Sequence, residues 1–224
     1  MTNRSNPIRA GGLTQGVIRA LVVSIAFLSA GLSLQAQLTI QLPDLVLQPD
    51  SANQDFTFSV QNTSVSDVFV TGVQLELIVA DGGPGVGGSI IGPAIQEVSV
   101  TASGTLFSGN NTGDRGHGAY PGNEVFQRLT STSSGTVTIS AEASPTLATI
   151  TFDTTGVAPG EYQWSAASSP NGPSFFTDTS TGGVLNPTLI DGTLTVVPEP
   201  QQYALAVSLG LLVAAFGRRW LGFA

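Results

Sequence analysis

Cysteine and lysine are both absent from this chain of 224 residues, and histidine occurs only once. Without cysteine, the chain has no disulfides, no thiolate zinc site and no cysteine nucleophile. Without lysine, it has neither a Schiff-base residue nor the lysine of a nucleotide phosphate-binding loop. Charged residues make up only 10% of the sequence, against about 25% in ordinary globular proteins.

The few charges are unevenly distributed. All seven basic residues are arginines, and five of them lie near the two ends of the chain. Between Leu38 and Val197, Arg115 and Arg128 stand against fourteen carboxylates, a net charge of −12. Proteins that bind nucleic acids neutralise phosphates with lysine and arginine. This balance excludes nucleic acid as a partner.

Residues 1–36 have the pattern of a secretory signal peptide. Three arginines precede Ala20–Leu34, an uncharged stretch of 15 residues, and Ala36 offers a small residue for cleavage. This order is typical of a positively charged region, an apolar helix and a cleavage site. An uncleaved membrane anchor is the alternative interpretation. In both cases, the sequence predicts that the bulk of the chain is exported.

The C-terminal residues 198–224 contain three features in a fixed order. Pro198-Glu199-Pro200 is followed by the uncharged run Tyr203–Gly217 and then by Arg218-Arg219. As a helix, that run would span about 22 Å, less than the hydrocarbon core of about 30 Å. We therefore expect a short transmembrane helix that suits temporary anchoring, with Arg218 and Arg219 on the cytoplasmic side.

This tail closely resembles the PEP-CTERM sorting signal of proteins exported by Gram-negative bacteria. Pro198, Glu199 and Pro200 match its motif, and Arg218 and Arg219 match its terminal basic cluster. The resemblance implies that an exosortase recognises and processes the tail at the inner membrane. It also implies a setting of exopolysaccharide and biofilm matrix. A plain tail anchor is the alternative.

The exported part, residues 37–197, has the alternation of β-strands. Apolar and polar residues alternate with a period of two, which indicates one buried and one solvated face. The segments with this pattern are Asp55–Asn62, Thr71–Ala80, Gly135–Ala141, Leu147–Asp153, Glu161–Ala167 and Ile190–Val197. Threonine and serine occupy most of the polar positions.

Three irregular stretches interrupt the strand patterns: Asp81–Pro93, Gly109–Glu124 and Ser165–Pro187. They are rich in glycine, proline, serine and asparagine, which favour turns and loops. No stretch of the exported part has a helical apolar stripe. The sequence therefore predicts an all-β fold, a single antiparallel β-sandwich, between a helical signal peptide and the sorting segment.

Several segments resemble a group of PEP-CTERM proteins with a cohesin-like or immunoglobulin-like sandwich. The resemblance covers most of residues 45–197 and rests on strand and turn patterns. Its segments are Phe56–Asn62, Val73–Gly83, Gly104–Phe107, Asn110-Asn111, Leu147–Phe152, Pro159–Tyr162 and Asp191–Val196. It implies a fold and does not imply a function. We infer no dockerin partner from it.

The sequence offers little for catalysis. His117, the only histidine, lies between two glycines, with no second histidine to share a metal. The carboxylates include no pair in a recognisable glycosidase setting. We therefore predict that the protein is not an enzyme and needs no cofactor, with a glycoside hydrolase as the remote alternative.

Two weaker binding hypotheses remain. Asn110, Asn111 and Asp114 are hard oxygen ligands that suit calcium, although such residues beside glycine are more often turn formers. Tyr120, Phe175 and Phe176 lie in the irregular stretches and are candidate platforms for sugar rings. Trp164 and Tyr162 share the alternation of a strand and are predicted to be core residues.

The leading hypothesis is a non-enzymatic protein of the cell surface or extracellular matrix, with a structural or adhesive role linked to exopolysaccharide or biofilm. The predicted partners are the exosortase and inner membrane during sorting, and then exopolysaccharide or other matrix proteins. The alternative is a carbohydrate-binding module.

Overall fold

The structure is a computed structural model that describes residues 38–122, 124–166, 174–178, 182–199, 207–208 and 210–213. The chain divides into a unit of residues 1–35 and a unit of residues 36–224. All the described residues belong to the second unit. The predicted signal peptide, residues 1–36, therefore lies outside the described residues.

Among the described residues from Leu38 to Val196, there are fourteen β-strands and one 3₁₀ turn, Pro84–Val86. The strands are β1 (Leu38–Gln41), β2 (Leu45–Leu47), β3 (Gln54–Asn62), β4 (Val68–Val79), β5 (Ala94–Ser99), β6 (Arg115–Ala119), β7 (Val125–Ser131), β8 (Val137–Ile139), β9 (Thr146–Asp153), β10 (Gly160–Ala166), β11 (Phe175–Asp178), β12 (Val184–Leu185), β13 (Thr188–Ile190) and β14 (Gly192–Val196).

The strands form two sheets. Sheet A has the order β13-β1-β3-β9-β5, and sheet B has the order β12-β11-β4-β10-β14-β2, with β6, β7 and β8 on the other side of β4. The apolar residues of the two sheets form one core. The prediction of an all-β sandwich is confirmed, because period-two strands bury one face of each sheet against the other.

Aromatic residues occupy the centre of the core. The ring of Trp164 meets those of Phe58 and Phe152 edge-on, with centroids 6.0 and 5.5 Å away. Trp164 is fully buried, and its Nε1 donates to the Pro43 carbonyl at 3.0 Å. The prediction that Trp164 is a core residue is confirmed.

The antiparallel prediction holds for most pairs, but two pairs are parallel. β1 runs parallel to β13 in sheet A, and β2 runs parallel to β14 in sheet B. The chain passes from sheet A to sheet B at residues 42–44, between β1 and β2, and again at Asp191, between β13 and β14. The segment predicted as one strand, Ile190–Val197, is therefore the end of β13 followed by β14. Asp44 Oδ1 accepts from the Thr193 N–H at 2.9 Å and ties the two crossings together.

The irregular stretches contain strands that the alternation does not indicate. β6 lies within Gly109–Glu124, and β11 and β12 lie within Ser165–Pro187. Asp81–Pro93 contains the 3₁₀ turn and otherwise connects β4 of sheet B to β5 of sheet A.

Only parts of the predicted sorting segment are described. Pro198 and Glu199 follow β14 in an irregular conformation, and Val207, Ser208 and residues 210–213 are helical. Pro200, Arg218 and Arg219 lie outside the described residues. Among the residues that are described, no helix has the length and apolar character needed to cross a bilayer.

Candidate functional site

Polar side chains line the outer face of sheet A in two rows. Thr151 on β9 pairs with Asp55 on β3 and with Glu97 on β5, which gives one row across three strands. Thr149 pairs with Thr57 and Ser99, which gives the second row. These positions point outward because Phe58, Ile150 and Val98, which alternate with them, are buried in the core. We call these six outward residues the hydroxyl face.

The hydroxyl face lies in a shallow, open depression of about 910 Å³, with Pro43, Leu45 and Ala102 also in its lining. Thr151 Oγ1 donates to Asp55 Oδ1 at 2.6 Å, and Thr149 Oγ1 donates to the Ser99 carbonyl at 3.5 Å. Four hydroxyls and two carboxylates on a flat sheet can exchange hydrogen bonds with a polar partner. The side chains of Asp55 and Glu97 are exposed, whereas a glycosidase acid works in a secluded apolar pocket.

Glu124 is a buried carboxylate that immediately precedes β7 and lies beneath the loop that follows β4. A Cβ on Gly83 would lie 2.6 Å from Glu124 Oε2, so the loop backbone rests on this carboxylate. Glu124 Oε2 has no hydrogen-bond partner among the described residues. Burial raises the pKa of Glu124, a hydrogen bond from its own N–H lowers it, and the charge of Asp81 raises it. Sequence reasoning missed this residue, because the glycines that enclose it read as ordinary turn residues.

Tyr120, predicted to be an exposed platform, is less exposed than expected. Its ring is half-buried and stacks on His117, with centroids 5.6 Å apart. Burial and the negative charge of Glu76 raise the pKa of Tyr120. Glu76 itself is fully buried on β4, where its N–H donates to Ser174 Oγ at 3.0 Å.

The two adjacent phenylalanines face opposite directions. Phe176 pairs with Val73 on β4 and is 0% exposed in the core. The prediction of an exposed platform at Phe176 is therefore wrong, because β11 continues sheet B where a loop was expected. Phe175 lies on the other side of the strand and is half-buried. A ligand-binding role for Phe175 and Tyr120 stays a prediction.

The three calcium candidates direct their oxygens to different parts of the fold. Asn110 Oδ1 accepts from Ser133 N–H at 3.0 Å, and Asn111 Oδ1 accepts from Gly113 N–H at 2.9 Å. Asp114 accepts from Ser99 Oγ at 2.6 Å and from Val100 N–H at 3.2 Å. Only the Asn111–Gly113 bond is the local bond of a turn former, whereas the bonds of Asn110 and Asp114 join segments 14 to 23 residues apart in the chain. Within the described residues, no group of three histidine or acidic side chains is arranged to hold a metal.

His117 lies on β6 with its side chain exposed. Tyr162 is half-buried against the core, and its hydroxyl donates to the Ala158 carbonyl at 2.7 Å. The prediction that Tyr162 is a core residue therefore holds only in part, because its ring packs against the core and is not enclosed by it.

No protein-family model matches the sequence, and no curated protein matches it either. The chain is similar in fold to cohesin modules. A cohesin of the OlpA–Doc918 complex from Clostridium thermocellum has 11% identity and a TM-score of 0.46, over 72% of this chain and 99% of that chain. The third ScaC cohesin of Acetivibrio cellulolyticus, in complex with the ScaB dockerin, has 14% identity and a TM-score of 0.49, over 72% and 100%.

A type III cohesin from the ScaE cell-surface anchoring scaffoldin of Ruminococcus flavefaciens has 11% identity and a TM-score of 0.48. It covers 73% of this chain and 89% of that chain. At such identities the similarity is one of fold alone.

Proposed function

We propose that this chain is an exported, non-catalytic protein of the cell surface or extracellular matrix, sorted by its C-terminal segment. The observation that carries the proposal is the order of elements at that end. β14 ends at Val196, and the Val197 N–H donates to the Leu47 carbonyl at 3.2 Å as the last backbone bond of the sandwich. Pro198-Glu199-Pro200 follows at once, then the uncharged run and Arg218-Arg219.

This order separates a folded body from a segment that an exosortase would read in the inner membrane. Each proline fixes its own φ and disfavours a helix before it, so the motif is a stiff, extended connection. The arginines at both ends belong on the cytoplasmic side. The sandwich between them is then left on the outer side, where its small number of charged residues and its hydroxyl-rich surface suit a matrix environment.

The hydroxyl face supports an adhesive or structural role toward exopolysaccharide or another matrix protein. It offers hydrogen-bond donors and acceptors on a rigid sheet, and its two carboxylates are exposed and open to solvent. A carbohydrate-binding module that works by ring stacking is less well supported. Trp164 and Phe176 are buried and Tyr120 and Phe175 are half-buried, so these four do not form an exposed aromatic platform.

Deletion of Pro198–Ala224 tests the sorting step. In the native host, we expect the truncated protein to leave the membrane and surface fractions and to appear in the periplasm or medium. Glu199→Gln keeps the length and the apolar run, and it should block processing while the protein stays in the membrane. Mass spectrometry of the mature protein should place its C-terminus near the motif. Unchanged fractionation of both variants would contradict the proposal.

Retention on exopolysaccharide from the native host tests the adhesive role. Thr57→Val with Thr149→Val removes two adjacent hydroxyls from the hydroxyl face at nearly constant volume. We expect retention to fall at least tenfold. Thr138→Val is the matched control, because Thr138 is exposed on β8 of the other sheet. Equal retention of both variants and the unmodified protein would exclude the hydroxyl face as the contact surface.

A further inference from the structure

The loop after β4 carries exposed apolar side chains on an uncharged segment. From Gly82 to Gln96 the chain has no charged residue. Val86, Ile90 and Ile91 are 40%, 47% and 65% exposed. Single exposed apolar residues are ordinary on protein surfaces, but three within six residues on one loop form a feature that needs a partner. We call these three residues the apolar tip.

Asp81 holds the apolar tip in a fixed conformation. Its Oδ2 accepts from the Ser89 N–H at 2.6 Å, and its Oδ1 accepts from the Ile90 N–H at 3.1 Å and the Gly83 N–H at 3.2 Å. The Gly88 N–H donates to the Gly83 carbonyl at 2.8 Å and closes the loop. The backbone hydrogen bond from Ser89 is the main cause that lowers the pKa of Asp81. The loop is thus organised around one carboxylate, although its sequence is rich in glycine.

The strand directions place the apolar tip at the end of the sandwich where the chain leaves toward its C-terminus. β4 ends at Val79, which pairs with Trp164, and Trp164 pairs with Gly192 at the start of β14. β14 then runs on to Val196, opposite Gly160. A Cβ on Gly92 would lie 3.4 Å from the Tyr162 ring, and Tyr162 pairs with Leu194. The loop and the end of β14 are therefore at the same end.

The connection between this end and the apolar run is short. Only the five residues 198–202 separate Val197 from Tyr203. Val197 and Tyr203 are therefore six Cα–Cα steps apart, which at no more than about 3.5 Å per step span at most about 21 Å. When residues 203–217 are in a bilayer, the end that carries the apolar tip is held within that distance of the lipid surface.

We propose that the apolar tip contacts the surface of the bilayer that holds the C-terminal segment. In the membrane-bound protein, this end of the sandwich then faces the bilayer. This inference rests on the proposed sorting function. Apolar side chains on a surface element gain free energy when they enter the headgroup boundary. The exported part of the chain is strongly acidic, so a zwitterionic surface is the favoured one and anionic lipid is not required.

Single-cysteine labelling tests the inference cleanly, because the chain has no cysteine of its own. Ile91→Cys and Val65→Cys would each be labelled with an environment-sensitive fluorophore. Val65, 74% exposed, is the matched control, because it lies between β3 and β4 at the opposite end of the sandwich. The protein is taken from the membranes of an exporting host and reconstituted into phosphatidylcholine–phosphatidylethanolamine vesicles, with and without spin-labelled lipid. Mass spectrometry records which ends it retains.

We expect blue-shifted fluorescence and at least a twofold stronger quenching by the spin-labelled lipid at position 91 than at position 65. Ile90→Ser in the Ile91→Cys protein should weaken the quenching. Equal quenching at the two positions, or none at position 91 in a protein that floats with the vesicles, would overturn the inference and leave the sorting proposal intact. Failure to float would overturn both. A blue shift without lipid that grows with protein concentration would assign the tip to a second copy of the chain instead.

Discussion

At the scale of single residues, Gly192 is a position where the fold leaves no room for a side chain. A Cβ there would lie 2.5 Å from the Pro43 carbonyl oxygen and 2.8 Å from that of Leu42, and it would also meet Trp164 Nε1. Two of these neighbours are backbone atoms, which cannot rotate away. Because Gly192 has no side chain, the crossing at 42–44 can pack directly against the crossing at Asp191, and Trp164 can reach the Pro43 carbonyl between them.

We predict that Gly192→Ala destabilises the protein by about 2 kcal/mol, within the range of overpacked cores. Urea unfolding followed by tryptophan fluorescence measures it. Gly109→Ala is the matched control, because nothing lies within 4 Å of a Cβ at Gly109. Its effect should stay within about 0.5 kcal/mol. A Gly192→Ala protein as stable as the control would show that the crossings have room to move apart.

Glu124 supplies a second prediction at this scale, in the pH dependence of stability. Burial is the main cause that raises its pKa, so the folded state binds this proton more tightly than the unfolded chain does. The stabilising contribution is therefore complete below the ordinary glutamate pKa and is lost as the pH rises through the raised value. Glu124→Gln cannot ionise, so it should be more stable than the unmodified protein at pH 7, and the difference should close toward pH 4.

Urea midpoints of the two proteins at pH 4, 5.5 and 7 measure this difference. Glu161→Gln, at an exposed position of β10, is the control and should leave the midpoints unchanged relative to the unmodified protein at each pH. If Glu124→Gln were the less stable protein at pH 7, the ionised carboxylate would have to be stabilised in the fold.

At the scale of elements, the strands that sequence reasoning predicted are those with a strong apolar alternation, such as β3, β4 and β9. β6 has the sequence Arg-Gly-His-Gly-Ala, with no large apolar side chain to signal a buried face. Ile190–Val197 was predicted as one strand, although it contains the end of β13 followed by β14, because a change of sheet at Asp191 leaves no mark on the alternation. The alternation of apolar and polar residues predicts which side chains face the core. It does not predict to which of the two sheets a strand belongs.

The hydroxyl face was predictable in kind, since threonines alternate with apolar residues along β9. Which residues form it was not predictable, because Asp55, Glu97 and Thr151 lie on strands that are far apart in sequence. Only the strand pairing brings them together. Glu124 was hidden for the same reason. The glycine that covers it, Gly83, belongs to a different connection between strands.

The open edge of β5 gives a prediction at this scale. Arg128 on β7 reaches across from sheet B, where its Nε donates to the Val98 carbonyl at 2.6 Å and its guanidinium lies 5.0 Å from the Phe126 ring centre. Unpaired edge groups are a liability that proteins cover. Arg128→Met keeps most of the packing and removes the donor, so we expect a loss of about 1–3 kcal/mol.

Urea unfolding measures this loss, and Arg115→Met is the control, because Arg115 is an exposed residue of β6. Faster hydrogen exchange in 94–99 of the Arg128→Met protein should accompany the loss of stability. Exchange that rises equally in every strand would indicate a general loss of stability and not a local opening of this edge.

At the scale of the whole molecule, the sandwich is closed by the last strand of the chain. β14 pairs with β10 on one side and with β2 on the other, and Leu194 and Val196 are buried in the core. β13 and β1 close the other sheet in the same way. The first and last strands of the sandwich thus hold each other across both sheets, and among the described residues the last strand ends at Val196.

We therefore predict that a chain ending at Val197 has the same thermal midpoint as the longer chain, within about 2 °C, because none of the described residues after Val197 belongs to the core. A chain ending at Ile190 should not fold, because it lacks β14 and leaves β2 and β10 without their shared partner. Circular dichroism melting of both, at matched concentration, measures the difference. If the chain ending at Val197 unfolded, the removed residues 198–224 would have to be packed into the sandwich in the longer chain. A segment packed in this way would not be free to enter a bilayer for sorting.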